Sequence, residues 1–547
     1  MKKLSLFLFL FSFLFYSGNV GAQCNEPPST KVLLVGDSWA WFMNTNGTIN
    51  TVFDTWGFSN YTYVTSALIA ENGAQTDDFM KADKQAEILD QLTINPSIKV
   101  VHLSIGGNDF LGDWNRNFTQ GQTDSLTNNV FVRLDSVIRF IKSCRPDVKI
   151  FWAGYVYPNF GEVINDFFAP SSHPFYGTWH DMGDPDFIEI NSLLNEISMK
   201  FDSIYANDPR IEFVPCTGLM QYLYGQTSQM SVPPSGTYAP FTQPLPWGDP
   251  AFPSPKPAMN DYGFTKDCFH LSPAAYKAFF AYHTQKFYHK YLMDDFYALA
   301  AGSQSGSVSS QGTVSATPYL GESSGEQFAT VLSFNTSGMA DTTLAKASLF
   351  LRRKALTGTN PISGNIQVQV KDGNFGATAN VEAADFSASG DASGDACKFG
   401  AYGADGDWVR LDLPAQLLPF ITNAGTTQFV VTAPGATGGK VEYYDSNDPD
   451  FAPVLNLKYG QAPSAIGEVI NNVSVAVYPN PASGLVTVKA EADVKSVEVR
   501  NTMGQIVLTP AVNNNTFDVS ALPTGAYIVY AKTNKGVGSQ KIMVEKK

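Results

Sequence analysis

Between residues 30 and 295 two hydrophobic patterns alternate along the chain. KVLLVG (31–36), IKVVHLSIGG (98–107), VKIFWAGYV (148–156) and RIEFVP (210–215) are short runs, apolar at most positions. NNVFVRLDSVIRFIKSC (128–144) and FIEINSLLNEISMKF (187–201) instead place apolar residues three and four apart. Continuous apolar runs suit strands buried on both faces, and the wider spacing is the stripe of an amphipathic helix. Strands alternating with such helices predict a parallel sheet covered on both sides. Residues 156–185 and 225–262 break the pattern with proline, glycine and aromatic residues. They predict long loops, the kind of segment that carries substrate contacts.

Further on the pattern changes. AGSQSGSVSSQGT (301–313) is a small-residue stretch and predicts a linker over 301–316. From 317 to 460, alternating runs such as ASLFLRRKAL, NIQVQVKD and TTQFVVTA are separated by Gly, Asp and Asn turns. This predicts a β-sandwich. QAPSAIGEV then leads to a last region, 468–547, of short strands and turns (SVAVYPNP, GLVTVKA, AYIVYAKT), which predicts a small sandwich of its own.

The N-terminus changes the picture of where the chain works. Lys2 and Lys3 precede the apolar run LSLFLFLFSFLFY, and Val20-Gly21-Ala22 supplies a small-residue cleavage site. Residues 1–22 therefore predict a signal peptide, with no membrane span in the mature chain. Gln23 before Cys24 argues against lipid attachment. Losing two lysines takes the net charge from −14 to −16, 34 basic residues against 50 acidic. Nucleic acid and anionic membranes would repel such a chain, so neither is an expected partner. The five cysteines have no metal-ligand spacing, and neither metal nor cofactor is expected.

Candidate chemistry gathers at strand ends, where ligands bind in parallel α/β sheets. Gly36-Asp37-Ser38 follows the first apolar run and Gly106-Gly107-Asn108-Asp109 follows the second. IAENGAQTDDF puts Gly73 in a polar turn. In DCFHLSPAAYKAFF, Asp267 and His270 stand three apart before a helix that Ser272 caps and Pro273 opens. A serine hydroxyl is a weak nucleophile until an oriented base takes its proton. His270 can be that base for Ser38, and Asp267 can hold its other ring nitrogen. A tetrahedral intermediate also needs donors. The Asn108 amide and the backbone N–H groups of Ser38 and Gly73 can supply them. Each motif alone has a plain reading: a strand ending in a turn with Ser38 capping the next helix, a tight turn, a surface cap. Their order and common placement favour catalysis.

These four blocks, across residues 30–290, resemble the SGNH or GDSL-type hydrolase superfamily. The resemblance implies a flavodoxin-like three-layer α/β/α domain with a parallel sheet, followed here by two β-sandwich domains. It implies Ser38 as nucleophile, His270 as base, Asp267 as its orienting acid, and Ser38, Gly73 and Asn108 as the oxyanion hole. Asp37, Trp39 and Asp109 are further candidates for substrate binding. Trp39 is bulkier than the aliphatic residue expected after the serine. The middle region loosely resembles DNRLRE-like noncatalytic modules of secreted polysaccharide-active proteins, on ASLFLRRK and PDFAPVLNLKYG. The last region resembles the type A sorting domain of the type IX secretion system, on VYPNPASGLVTV, VRNTMGQIV and DVSALPTGAYIVYA. That implies passage through the periplasm on the type IX machinery, with release or surface attachment.

Other residues compete for these roles. His102, inside an apolar run, reads as a core residue. His180-Asp181, in the long loop with His173, is a rival base and acid. His283 and His289 read as ordinary helix residues, and Cys268 as a packed thiol. Trp39 and Trp41 could stack on a sugar, although large aromatics are mostly buried. Asp405, Asp407, Asp445, Asp448 and Asp450 offer calcium-type oxygens, or plain turns.

The expectation is a secreted serine esterase acting on acylated, for instance acetylated, carbohydrate. A lipase or arylesterase with the same residues, an acyltransferase that excludes water, and a silent carbohydrate-binding surface protein are the alternatives.

Overall fold

The computed structural model describes residues 26–460 and, beyond them, 475–490, 493–501, 506–512, 515–533 and 536–546. The signal peptide predicted over 1–22, and Cys24, lie outside the described residues. The chain divides into two compact units, one ending at Gly460 and one starting after it.

The first unit opens with β1 (Ser29–Gly36), α1 (Ser38–Thr45), α2 (Thr48–Thr55) and β2 (Tyr61–Val64). Then come α3 (Ala82–Ile94), β3 (Val100–Ser104), α4 (Gly107–Asp113), α5 (Gln120–Cys144) and β4 (Lys149–Trp152). The short α6 (Phe160–Asn165) and α7 (Tyr176–Asp181) lie in the first predicted loop region, before α8 (Phe187–Tyr205) and β5 (Ile211–Phe213). After α9 (Leu219–Tyr224), an antiparallel pair, β6 (Met259–Tyr262) and β7 (Thr265–Leu271), leads into α10 (Pro273–His283).

β1 to β5 form one parallel sheet in the order β2-β1-β3-β4-β5. Successive side chains on a strand point to opposite faces, so a strand apolar at every position needs two covers. Val32, Leu34, Val100 and Phe151 pack with α1, α2, α9 and α10. Leu33, Val35, Val101, Leu103, Ile150 and Trp152 pack with α3, α5 and α8. Each such side chain, fully buried, contributes about 1.5–3 kcal/mol. Gly36 is demanded by the approach of β3: a Cβ there would sit 2.1 Å from the Ser104 carbonyl oxygen.

Residues 296–460 form antiparallel strands around a main apolar cluster and a smaller one of Val308, Ala329, Val331 and Val430. The long strand Leu344–Gly358 pairs with Trp408–Asp412 and Val454–Tyr459 in one sheet and with Gly439–Tyr443 in the other. Its register shifts between Arg353 and Ala355, where it passes between sheets. The expected linker over 301–316 is instead part of this region. Gly306–Ser309 is a buried strand paired with Phe328–Val331, and Val314–Ser315 pairs with it. Its small residues serve close packing: a Cβ on Gly306 would lie 2.1 Å from the Ser315 carbonyl oxygen. Nor is this region detached from the α/β part. Trp408 stacks on Trp56 with ring centroids 5.8 Å apart, and Arg410 donates to Asn60 Oδ1 at 2.9 Å and to Glu26 Oε2 at 2.7 Å.

Among its described residues the second unit holds two small antiparallel sheets. One is Val475–Tyr478, Leu485–Ala490 and Thr516–Asp518; the other is Val494–Asn501, Ile506–Leu508, Gly525–Thr533 and Gly536–Val544. Alternate residues such as Val486, Val488, Val497, Val499, Val529 and Ala531 fill its core.

Candidate active site

Ser38 is the first residue of α1, immediately after the carboxyl end of β1. It does not cap that helix. The N-cap is Asp37, whose Oδ1 accepts the Trp39 N–H at 2.9 Å. The Ser38 side chain is left for other work, at a helix start where N–H groups lack partners within the helix. Its Oγ lies 2.7 Å from His270 Nε2.

His270 sits near the end of β7, directly before α10. Its Nδ1 is 2.8 Å from Asp267 Oδ2. The other carboxylate oxygen, Oδ1, accepts the backbone N–H groups of Phe269 and His270, both at 2.9 Å. That double acceptance fixes the carboxylate, which in turn fixes the imidazole. The rings of Phe42 and Phe269 lie 4.6 and 4.4 Å from the imidazole, centroid to centroid. Ser272 caps α10 by accepting the Ala275 N–H, as its sequence predicts. The three residues thus form one buried hydrogen-bonded chain from acid to hydroxyl.

Asn108 lies in the first turn of α4, beyond β3. Its Nδ2 donates to the Ala74 carbonyl at 3.0 Å, which uses one of its two hydrogens and orients the carboxamide. Gly73 precedes Ala74 in a turn drawn against the end of β1, where Glu71 N–H donates to the Gly36 carbonyl at 3.0 Å. Gly73 has φ +78°, a conformation open to glycine at no steric cost. Ser38 and Asn108 border one cavity.

The three further candidates for substrate contact hold protein contacts of their own, and Asp37 and Trp39 also line that cavity. Asp109 is fully buried, and its oxygens accept the Thr76 hydroxyl at 2.6 Å and the Thr76 N–H at 3.0 Å. Burial pushes its carboxyl up, against the pull of those bonds and of Arg133. Both Asp37 oxygens are also occupied, since Oδ2 accepts the Tyr155 hydroxyl at 2.6 Å. Burial raises the Asp37 carboxyl to about 6, opposed by Tyr155 and the Trp39 N–H. Trp39 is 3% exposed and meets Tyr155, Phe279 and Tyr276 edge to face at 5.1 to 5.4 Å. It is packed in the core.

The rivals separate cleanly. His180 Nδ1 is paired with Asp184, at 3.1 Å on the surface, and not with Asp181. His173 Nε2 is 3.1 Å from the Thr265 hydroxyl. His102, His283 and His289 are buried among aromatic rings. Cys268 is a buried free thiol, pushed up by burial. Cys144 and Cys216 are also free, and Cys397 is disulfide-bonded. Among the described residues no group of three His, Cys, Asp or Glu could hold a metal. The aspartates with calcium-type spacing serve turns and an ion pair: Asp407 accepts the N–H groups of Gly403 and Ala404, and Asp405 pairs with Arg353.

One residue escaped the sequence reading. Tyr155 accepts the Gly107 N–H at 3.1 Å while donating to Asp37, so it ties the serine turn to the Asn108 turn. It lies just beyond β4, at the same sheet edge as Ser38 and Asn108. The rule that singled those two out applies to it as well.

Residues 476–545 match the family described as a secretion system C-terminal sorting domain. This sorting domain makes the protein one of the secreted or cell-surface cargo of the type IX system. No curated protein matches the chain. Solved structures similar to it include a periplasmic domain of a lipopolysaccharide acetyltransferase from Salmonella ser. Paratyphi A (15% identity, 48% of this chain and 84% of that one, TM-score 0.27). A family 3 carbohydrate esterase from Clostridium thermocellum matches at 15% identity, over 47% of this chain and 94% of that one, with a TM-score of 0.22. A protein described as a possible lipase from Chitinophaga pinensis matches at 14% identity, over 48% of this chain and 99% of that one, with a TM-score of 0.24. Among the described residues no helix is long and apolar enough to cross a membrane.

Proposed function

We propose that the protein is an exported serine ester hydrolase with the three-layer SGNH-type fold. The observation that carries this is the chain Asp267 Oδ2–His270 Nδ1, His270 Nε2–Ser38 Oγ, at 2.8 and 2.7 Å. His270 takes the Ser38 proton as Oγ attacks the ester carbonyl, and Asp267 stabilises the imidazolium that results. The second hydrogen of Asn108 Nδ2, with the Ser38 and Gly73 N–H groups, receives the oxyanion. His270 then returns its proton to the departing alcohol, and water attacks the acyl-Ser38 by the same steps in reverse. The alcohol is a carbohydrate in this reading, as the exported setting and the β region of 296–460 suggest. Export runs through the periplasm.

The test is hydrolysis of p-nitrophenyl esters by the secreted protein beside Ser38→Ala. Turnover that disappears in the variant supports the reading. Equal turnover in both proteins defeats it.

A further inference from the structure

We propose that the acyl group is an unbranched apolar chain of about four to six carbons, held in the cavity beside Ser38. This rests on the serine hydrolase reading above and names its acyl specificity. The cavity, about 100 Å3, lies between the sheet and the helices α5 and α8. Ser38 and Asn108 border it, and its walls include Phe131, Leu134, Trp152, Leu193 and Ile197. Among the other polar side chains on its lining, the Asp37 carboxylate and the Tyr155 hydroxyl are bonded to each other, and the Trp114 and Trp152 indole N–H groups donate to the Thr123 hydroxyl and the Ile105 carbonyl. Ser38 and Asn108 are placed to address an ester, and the aliphatic and aromatic walls behind them suit hydrocarbon.

Size sets the chain length. An apolar cavity of ~150 Å3 holds benzene, with six carbons, so this one takes roughly four carbons beyond a carbonyl at Ser38. An acetyl group would leave most of it empty and draw no binding from it. The cavity thus revises the acetyl group expected from the sequence. A polar or charged acyl chain would lose its hydration there with nothing in exchange.

The experiment is a chain-length series, p-nitrophenyl acetate, butyrate, hexanoate and decanoate, on the secreted protein and on Ser38→Ala. Each methylene moved out of water is worth about fourfold, so kcat/KM rises on the order of 10²-fold from acetate to hexanoate and falls at decanoate. Leu194 is a half-buried residue of the cavity wall on α8. Leu194→Trp lowers the hexanoate-to-acetate ratio of kcat/KM at least about tenfold. Leu194→Ala, which only removes volume, moves the optimum to a longer chain. Ser38-dependent turnover that is fastest on acetate, or a ratio unmoved by both variants, overturns the acyl assignment and leaves the hydrolase reading standing. No Ser38-dependent turnover on any ester overturns both.

Discussion

Tyr155 donates its hydroxyl to Asp37 Oδ2 at 2.6 Å, 118 residues away in sequence. The Tyr155 hydroxyl oxygen in turn accepts the Gly107 N–H at 3.1 Å. One phenol therefore holds together the turn that presents Ser38, the proposed nucleophile, and the turn that presents Asn108.

Tyr155→Phe removes that link and leaves a buried carboxylate oxygen unpaired, a cost of about 1–3 kcal/mol. The expected result is a Tm lowered by several degrees and kcat lowered about tenfold with KM little changed, because the proposed oxyanion donors lose their anchor. Calorimetry and steady-state kinetics on one ester check both.

Asp267→Asn separates orientation from folding. The remaining amide oxygen can still accept the Phe269 and His270 N–H groups, so Tm is expected to hold within a few degrees. The new amide nitrogen, however, donates to His270 Nδ1 and turns the imidazole to the tautomer with a hydrogen on Nε2. That ring cannot accept the Ser38 proton. A fall in kcat of roughly 10³–10⁴-fold is expected, as for loss of the acid in other triads.

The buried histidines predict acid lability. Burial lowers His102 and His289 to about 3, from an ordinary 6.5. A base held neutral in the fold and protonated in the unfolded chain gives stability that is complete above pH 6.5. That stability is lost as pH falls toward 3. By pH 4 each has cost about 3 kcal/mol. Asp37 acts in the opposite sense: its raised carboxyl lets stability fall as pH rises from 3.8 to about 6. Asp109, also raised by burial, acts with Asp37, and His283, also lowered by burial, acts with the other two histidines; the histidines outweigh the carboxyls, so the denaturation midpoint is expected to drop between pH 6.5 and 4. His289→Phe, in a site lined by Trp56, Phe58, Phe350 and Trp408, should flatten that drop.

The seam between the α/β part and residues 296–460 predicts shared unfolding. Arg410, with a side chain 2% exposed, pairs with Glu26 and Asp412 and also bonds Asn60. Removing a buried charge partner typically costs about 3–5 kcal/mol. Arg410→Ala is expected to destabilise both parts together, seen as one calorimetric transition moved downward.

Much of this was legible in the sequence, for reasons that differ from residue to residue. The strands β1, β3, β4 and β5 declare themselves because both faces are buried and no position can be polar for long. Ser38 and Asn108 follow from where those strands stop. The Asp267–His270 pair was legible as chemistry but not as geometry: a three-residue spacing suits a turn before a helix as well as it suits β7. Residues 301–316 misled because small side chains mean flexibility in one setting and close packing in another, and only the facing Ser315 carbonyl decides. Tyr155 hid inside an apolar run that ends as a strand at Trp152. The cavity was out of reach, since it depends on how α5 and α8 stand off the sheet.

The central claim is that Ser38 is the nucleophile. The most direct measurement is peptide mapping by mass spectrometry after treatment of the protein with a fluorophosphonate, with Ser38→Ala alongside. The account predicts one stoichiometric adduct, on Ser38, and none in the variant. An adduct on another residue with Ser38 unmodified, or equal labelling of the variant, would contradict it.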